Sequence, residues 1–260
     1  MSSFADGALQ LDLDGPVATL SLSRPAARNA LNLGMWTALP QALAEVAAQD
    51  GLRALIVRGE GGSFASGADI SEFAMLFANR DSTLAYGRLI EDATTALADL
   101  ALPTLAQIDG YCIGAGLAIA LACDLRLASA DAKLGAPPAK LGLMYSLTDT
   151  RRLMLAVGAS TAKAMLFTGD LFKAERALAV GLVNEVHAKD QLADAVAAKA
   201  RHMAALSPWS IRHAKAVAAL VQTGATHDTD ETRGWFADAV EGPDFAEGLA
   251  AFHAKRPPVF

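Results

Sequence analysis

The spacing of apolar residues switches repeatedly between a period of two and a period of three to four. Leu9–Asp14 and Val17–Ser23 are short alternating runs split by Gly15-Pro16, the pattern of a β-hairpin. Trp36, Leu39, Leu43 and Val46 then recur at three- and four-residue intervals behind Asn32. An Asn there can accept from the free amides of a first turn, so the spacing predicts a capped helix. Arg53–Arg58 reads as a buried strand, and Gly59–Gly67 is a Gly-rich loop. A helical stretch from Leu84 to Leu100 is stopped by Pro103. Thr104–Ile108 reads as the next strand, followed by a Gly110–Gly116 turn and an apolar helix; the run from Cys112 to Cys123 reads as a buried helix. Asp124–Ala128 has the character of a further strand.

This alternation supports an α/β core over the first two-thirds of the chain. Beyond residue 190 the pattern turns helical through Gln191–Leu206, Ile211–Val221 and Phe245–Ala254. The expected division is a core over 1–190 and a helical extension over 191–260, packed on the core or on a neighbouring subunit. Asp228, Asp230 and Glu231 read as a solvated helix start, and Trp36 as core packing.

Composition narrows the classes. Of 260 residues, 53% are hydrophobic and 19% charged, enough for a sizeable core and unlike a disordered chain. A net charge of −6 argues against nucleic-acid or anionic-membrane partners. Cys112 and Cys123 lack metal-ligand spacing and read as buried free thiols of a reducing cytoplasm. Met1–Gly7 shows no secretory pattern, and the Cys112–Cys123 run falls short of the roughly 20 residues a bilayer span needs. The five histidines show no metal spacing, so no metal or redox cofactor is expected.

Two segments carry candidate chemistry: Ser63–Ile70 and Asp109–Gly116. Each follows an apolar run, is built of small residues and leads towards a helix-like run. Small residues let a ligand approach the backbone, and helix N-termini present free N–H groups. Two such amides aimed at one point would hold a developing oxyanion. Competing readings fit poorly. Ser66 lacks the surroundings of a nucleophile elbow. Gly114-Ala115-Gly116 begins like a dinucleotide fingerprint, but Ile119 stands at the third glycine position. Asp69 reads as a helix cap, and Asp124 and Arg126 as residues with structural partners.

An ordered set of segments resembles the enoyl-CoA hydratase/isomerase (crotonase) superfamily: Arg24-Pro25 with Arg28-Asn29-Ala30-Leu31, Ala65–Ile70, Asp109–Gly116, Ala122–Ala128, Phe167-Thr168-Gly169, Ala174–Ala177, Gly181–Val186 and the tail from Glu247 to Pro257. The resemblance implies a spiral of ββα turns, a helical tail that helps form trimers or dimers of trimers, and a coenzyme A thioester as substrate. It places the oxyanion donors at the amides of Ala68 and Ala115. Ser66, Gly67, Asp69 and Ile70, with Gly114, Pro137 and Pro138, would line the thioester and its CoA. Arg24 and Arg28 are candidate phosphate ligands, and Phe252 and Lys255, read as one helix face, would meet the nucleotide end.

The chain departs from the family's hydratases at two places. The positions of their two glutamates are Ala118 and Pro138. Hydration needs an acid and a base, and losing one typically costs about 10²–10⁴-fold. The segment from Pro137 to Tyr145 instead resembles the methylmalonyl-CoA decarboxylase branch. Decarboxylation of a short malonyl-type thioester needs only an enolate-holding site, with Tyr145 orienting the carboxylate or delivering a proton. A hydratase or isomerase with unusual acid/base groups, and a non-catalytic CoA-thioester-binding protein, remain the alternatives; RNA binding is disfavoured by the acidic balance.

Overall fold

The computed structural model describes residues 1–13 and 15–260. Its strands are β1 (Ser2–Phe4), β2 (Leu9–Asp12), β3 (Val17–Leu22), β4 (Ala54–Gly59), β5 (Thr104–Ile108), β6 (Tyr111–Ile113), β7 (Leu125–Ser129), β8 (Lys133–Gly135), β9 (Phe172–Lys173) and β10 (Glu185–His187). Its helices are α1 (Leu33–Ala47), α2 (Phe73–Leu76), α3 (Arg80–Ala98), α4 (Ala115–Ala122), α5 (Leu147–Thr168), α6 (Ala174–Ala179), α7 (Leu192–Ala204), α8 (Pro208–Gln222), α9 (Asp230–Glu241) and α10 (Pro243–Ala254). A seven-stranded sheet runs β1-β2-β3-β4-β5-β7-β10, antiparallel from β1 to β3 and parallel from β3 onward. A three-stranded sheet, β6-β8-β9, stands beside it.

Parallel strands buried on both faces lose the apolar/polar alternation of a half-exposed strand. In β4, Leu55 and Val57 face the main core, while Ala54 and Ile56 face a second cluster with Leu105, Leu127 and the α7 residues Leu192, Val196 and Ala200. The first helix beyond residue 190 thus packs on the sheet itself. The expected hairpin is β2–β3; Asp14, the last residue of its expected first run, lies outside the described residues. Helix α1 starts as its sequence requires, with the Asn32 side chain accepting from the Met35 amide at 2.9 Å, and Trp36 is fully buried.

Several elements differ from the expectations. The Cys112–Cys123 run is not one helix: Tyr111–Ile113 is β6, the chain turns at Gly114, and only Ala115–Ala122 is helical. The 22-residue helix α5 went unanticipated, as did β1 and the short strands of the second sheet. Asp228 precedes α9; Asp230 and Glu231 lie in its first turn, capped by Thr229. Asp124 accepts from Thr104 and from Lys215 of α8, and the buried Arg126 guanidinium donates to the carbonyls of Leu182 and Cys123. Among the described residues no helix is long and apolar enough to cross a membrane.

Candidate active site

Two loops meet at one place. Ala65 forms a parallel bridge to Cys112: its amide donates to Tyr111 O at 2.9 Å, and its oxygen accepts from Ile113 at 3.0 Å. Gly116 packs so closely on this bridge that a Cβ there would lie 2.5 Å from Ala65 O. One residue before each candidate amide the loops run close together: a Cβ added at Gly114 would lie 4.0 Å from Gly67 Cα.

The backbone then aims the amides. Leu31 bridges Ala68 in parallel fashion, using Gly67 O at 2.8 Å and Asp69 N at 2.9 Å. In a parallel bridge the central residue's own N–H points to the opposite side, so that of Ala68 turns away from Leu31. Ala115 is the first residue of α4, where an N–H has no partner within the helix. Gly114 before it sits at φ +53°, ψ −113°, a conformation open to glycine and strained for a side-chain-bearing residue. Ala68 and Ala115 are both half-buried.

The other expected residues divide into groups. Tyr145 is here: its hydroxyl donates to the Gly114 carbonyl at 3.0 Å. That spends its one proton on the protein, so in this arrangement it is not the free donor to a substrate carboxylate that the sequence suggested. Burial, and then the charge of Asp149, hold its pKa well above the usual phenol value. Pro137 and Pro138 follow β8, and Pro138 opens a 3-10 turn to Leu141.

Arg24 has the role of a brace: it reaches Asp69 at 2.8 Å and Ala30 O at 2.6 Å. Asp69 caps a 3-10 turn over Ile70–Glu72 rather than an α-helix. The Ser71 hydroxyl, with Arg24 beside it, holds its carboxyl below the usual range. Ser66 donates to Ala27 O at 3.2 Å, and its amide donates to Arg28 O at 3.0 Å. Arg28 is exposed and stands over the Tyr111 ring at 5.2 Å, and Lys133 stands over the same ring at 5.5 Å. Ile70 is exposed.

Phe252 and Lys255 do not form the expected pair on one helix face. Helix α10 ends at Ala254, and Lys255 is its left-handed cap at φ +53°. Phe252 is 78% exposed.

Two residues were missed as site elements. Asn29 is fully buried and ties three segments together: it accepts from Arg24 N and donates to Glu60 O and Ser63 O. With Arg24, Arg28 and Asn32 close by in sequence, nothing local marks Asn29 as the buried one. Asp149 is buried near the start of α5, accepts from Ser146, and stands 3.6 Å from Arg152. Nothing in its sequence neighbourhood distinguishes it from a surface helix-start carboxylate.

The chain is a two-sheet α/β fold in which the two small-residue loops meet. A family model described as enoyl-CoA hydratase/isomerase matches residues 13–260. A Bacillus subtilis (strain 168) protein named as a probable enoyl-CoA hydratase is 34% identical over 260 residues, covering 97% of this chain and 98% of that one. The mitochondrial methylglutaconyl-CoA hydratase of Mus musculus is 32% identical, covering 93% of this chain and 78% of its own length. The crystal structure of an enoyl-CoA hydratase/isomerase family protein from Hyphomonas neptunium superposes with a TM-score of 0.94 at 40% identity, covering 97% of each chain. The chain belongs to the enoyl-CoA hydratase/isomerase (crotonase) family.

Proposed function

We propose that this chain is an acyl-CoA lyase that holds a thioester enolate between the amides of Ala68 and Ala115. The observation that carries the reading is the contact of their loops, joined at the Ala65–Cys112 bridge, with the residues preceding both amides so close that a Cβ added at Gly114 would come to 4.0 Å from Gly67 Cα. Donors fixed before the reaction need no reorganisation as charge develops on the carbonyl oxygen; removing one such donor costs about 10²–10³-fold in other enzymes. Arg28 and Lys133 offer cations for the CoA phosphates. Phe252 and Lys255, exposed at the tail, would act on a neighbouring subunit in a trimer or dimer of trimers.

The names of the relatives favour hydration of an enoyl-CoA, and this is the reaction the comparisons support better. It requires acid/base groups other than the family's glutamates. One specific observation favours a second reading, decarboxylation of a malonyl-type thioester: Ala118 is buried within α4 and Pro138 opens the 3-10 turn, so neither place offers a carboxylate. Loss of CO₂ delivers its electron pair to the thioester carbonyl without a base.

The deciding experiment gives the purified protein short enoyl-CoA and malonyl-type CoA thioesters and follows products by mass spectrometry. Addition of water supports hydration, and loss of CO₂ supports decarboxylation. Tight CoA-thioester binding without turnover of either class would leave only the non-catalytic binder.

A further inference from the structure

Tyr145 and the second amide donor are joined through one peptide group. The phenolic proton lies on the Gly114 oxygen. That carbonyl and the Ala115 N–H share the 114–115 peptide, which is planar and trans, so the two point in opposite directions. A hand on the oxygen therefore sets where the N–H aims.

Gly114 is the N-cap of α4: its own φ and ψ are non-helical, yet its oxygen already belongs to the helix, so α4 holds one side of the peptide and the oxygen's second lone pair is left for another donor. The Gly114 oxygen takes the first α4 bond from Ala118 at 3.0 Å, and Tyr145 supplies its second donor. Tyr145 is itself held. It directly precedes Ser146, the cap of α5, whose hydroxyl accepts from the Asp149 amide at 3.0 Å and donates to the Asp149 carboxylate at 2.8 Å.

We propose that Tyr145 is a positioning residue: its hydrogen bond to Gly114 O keeps the Ala115 N–H aimed at the thioester oxygen and polarises that amide so that it donates more strongly to an enolate. This rests on the enolate-holding reading above and assigns Tyr145 a role in it that does not involve touching substrate. Hydrogen bonds in series strengthen one another, which gives the phenol a route to act at a distance. The raised phenol pKa keeps the donor protonated throughout the neutral range.

The test uses a conjugated arylacryloyl-CoA, whose absorbance moves to the red as its carbonyl is polarised. Wild type, Tyr145→Phe and protein carrying a ring-fluorinated, more acidic tyrosine at position 145 are compared. The wild type should produce a red shift. Tyr145→Phe should bind the probe with affinity within about threefold but with a smaller red shift; for the thioester the wild type turns over, kcat should fall about 10- to 100-fold with KM little changed, as expected for a misplaced donor. The fluorinated tyrosine should enlarge the red shift. A full red shift in Tyr145→Phe, or equal losses of affinity and shift, overturns the proposal. Should Tyr145→Phe fail to fold, an unchanged shift with the fluorinated tyrosine overturns it instead. A wild type that binds the probe without any shift, or does not bind it, defeats the enolate-holding reading itself and this proposal with it; that failure is distinct because it appears before any substitution at Tyr145.

Discussion

Arg24 and Asp69 form an ion pair at 2.8 Å that fastens the segment carrying Ala68 to the loop before α1. Both side chains are mostly shielded, at 26% and 15% exposure, so this pair is unlike the freely solvated ones that contribute little. Arg24→Gln should lower stability by about 1.5–3 kcal/mol, the range for hydrogen bonds to charged groups. It should leave the salt dependence of CoA binding unchanged. Urea unfolding and ligand titration at two ionic strengths check both; a reduced salt slope would return Arg24 to the phosphate ligands.

Arg28 and Lys133 should behave in the opposite way. Both are exposed, and neither has a carboxylate partner in the ion pairs among the described residues. Arg28→Gln and Lys133→Gln should each weaken CoA binding most at low salt while leaving the unfolding midpoint within experimental scatter, because exposed charges are screened. Calorimetric titration of CoA at low and high salt measures this. Unchanged affinity in both variants would remove the Tyr111 face from the binding site.

Gly116→Ala should be costly for so small a change. The added methyl would meet Ala65 O at 2.5 Å and Ala65 Cβ at 2.8 Å, so backbone has to move. Overpacking of this kind costs about 1–3 kcal/mol. The displaced segment joins the two amide-bearing loops, so activity should fall further than stability alone explains. Urea unfolding combined with kcat on the native fraction tests the pair of effects.

Asp149 predicts a pH dependence with a defined sign. Burial holds its carboxyl above the ordinary value of 3.8. A carboxyl with a raised folded pKa contributes stability that is complete below the unfolded value and is lost as pH rises through the folded one. Asp149→Asn should therefore gain stability relative to wild type as pH climbs from 3.8 towards neutrality. Thermal unfolding of both proteins across that interval reads the difference. A gap that stays constant with pH would show that Asp149 titrates alike in both states.

What the sequence made legible was local. Asn32 and the apolar residues behind it announce α1 because cap and period lie within one short window. The small-residue loops announce themselves because close backbone approach demands those residues. Strands of two or three residues, such as β8 and β9, are too short to show any period. Helix α5 hid because Gly158, at φ +76°, kinks it and because apolar residues such as Leu155 and Phe167 face outward, blurring a single stripe. The Phe252–Lys255 pairing failed on one backbone angle, as Lys255 turns left-handed where the helix was assumed to continue. The Tyr145–Gly114 bond spans 31 positions, and no nearby spacing announces such a partner.

The two thiols have a practical corollary. Cys112 and Cys123 sit at 0% and 3% exposure, and burial pushes both upward in pKa, Cys123 to about 12, so neither presents a thiolate to a reagent near neutrality. A single cysteine engineered on the outer surface would take up a maleimide dye against a silent native background. Fluorescence could then follow assembly or loop movement without first stripping the chain of its own sulfhydryls.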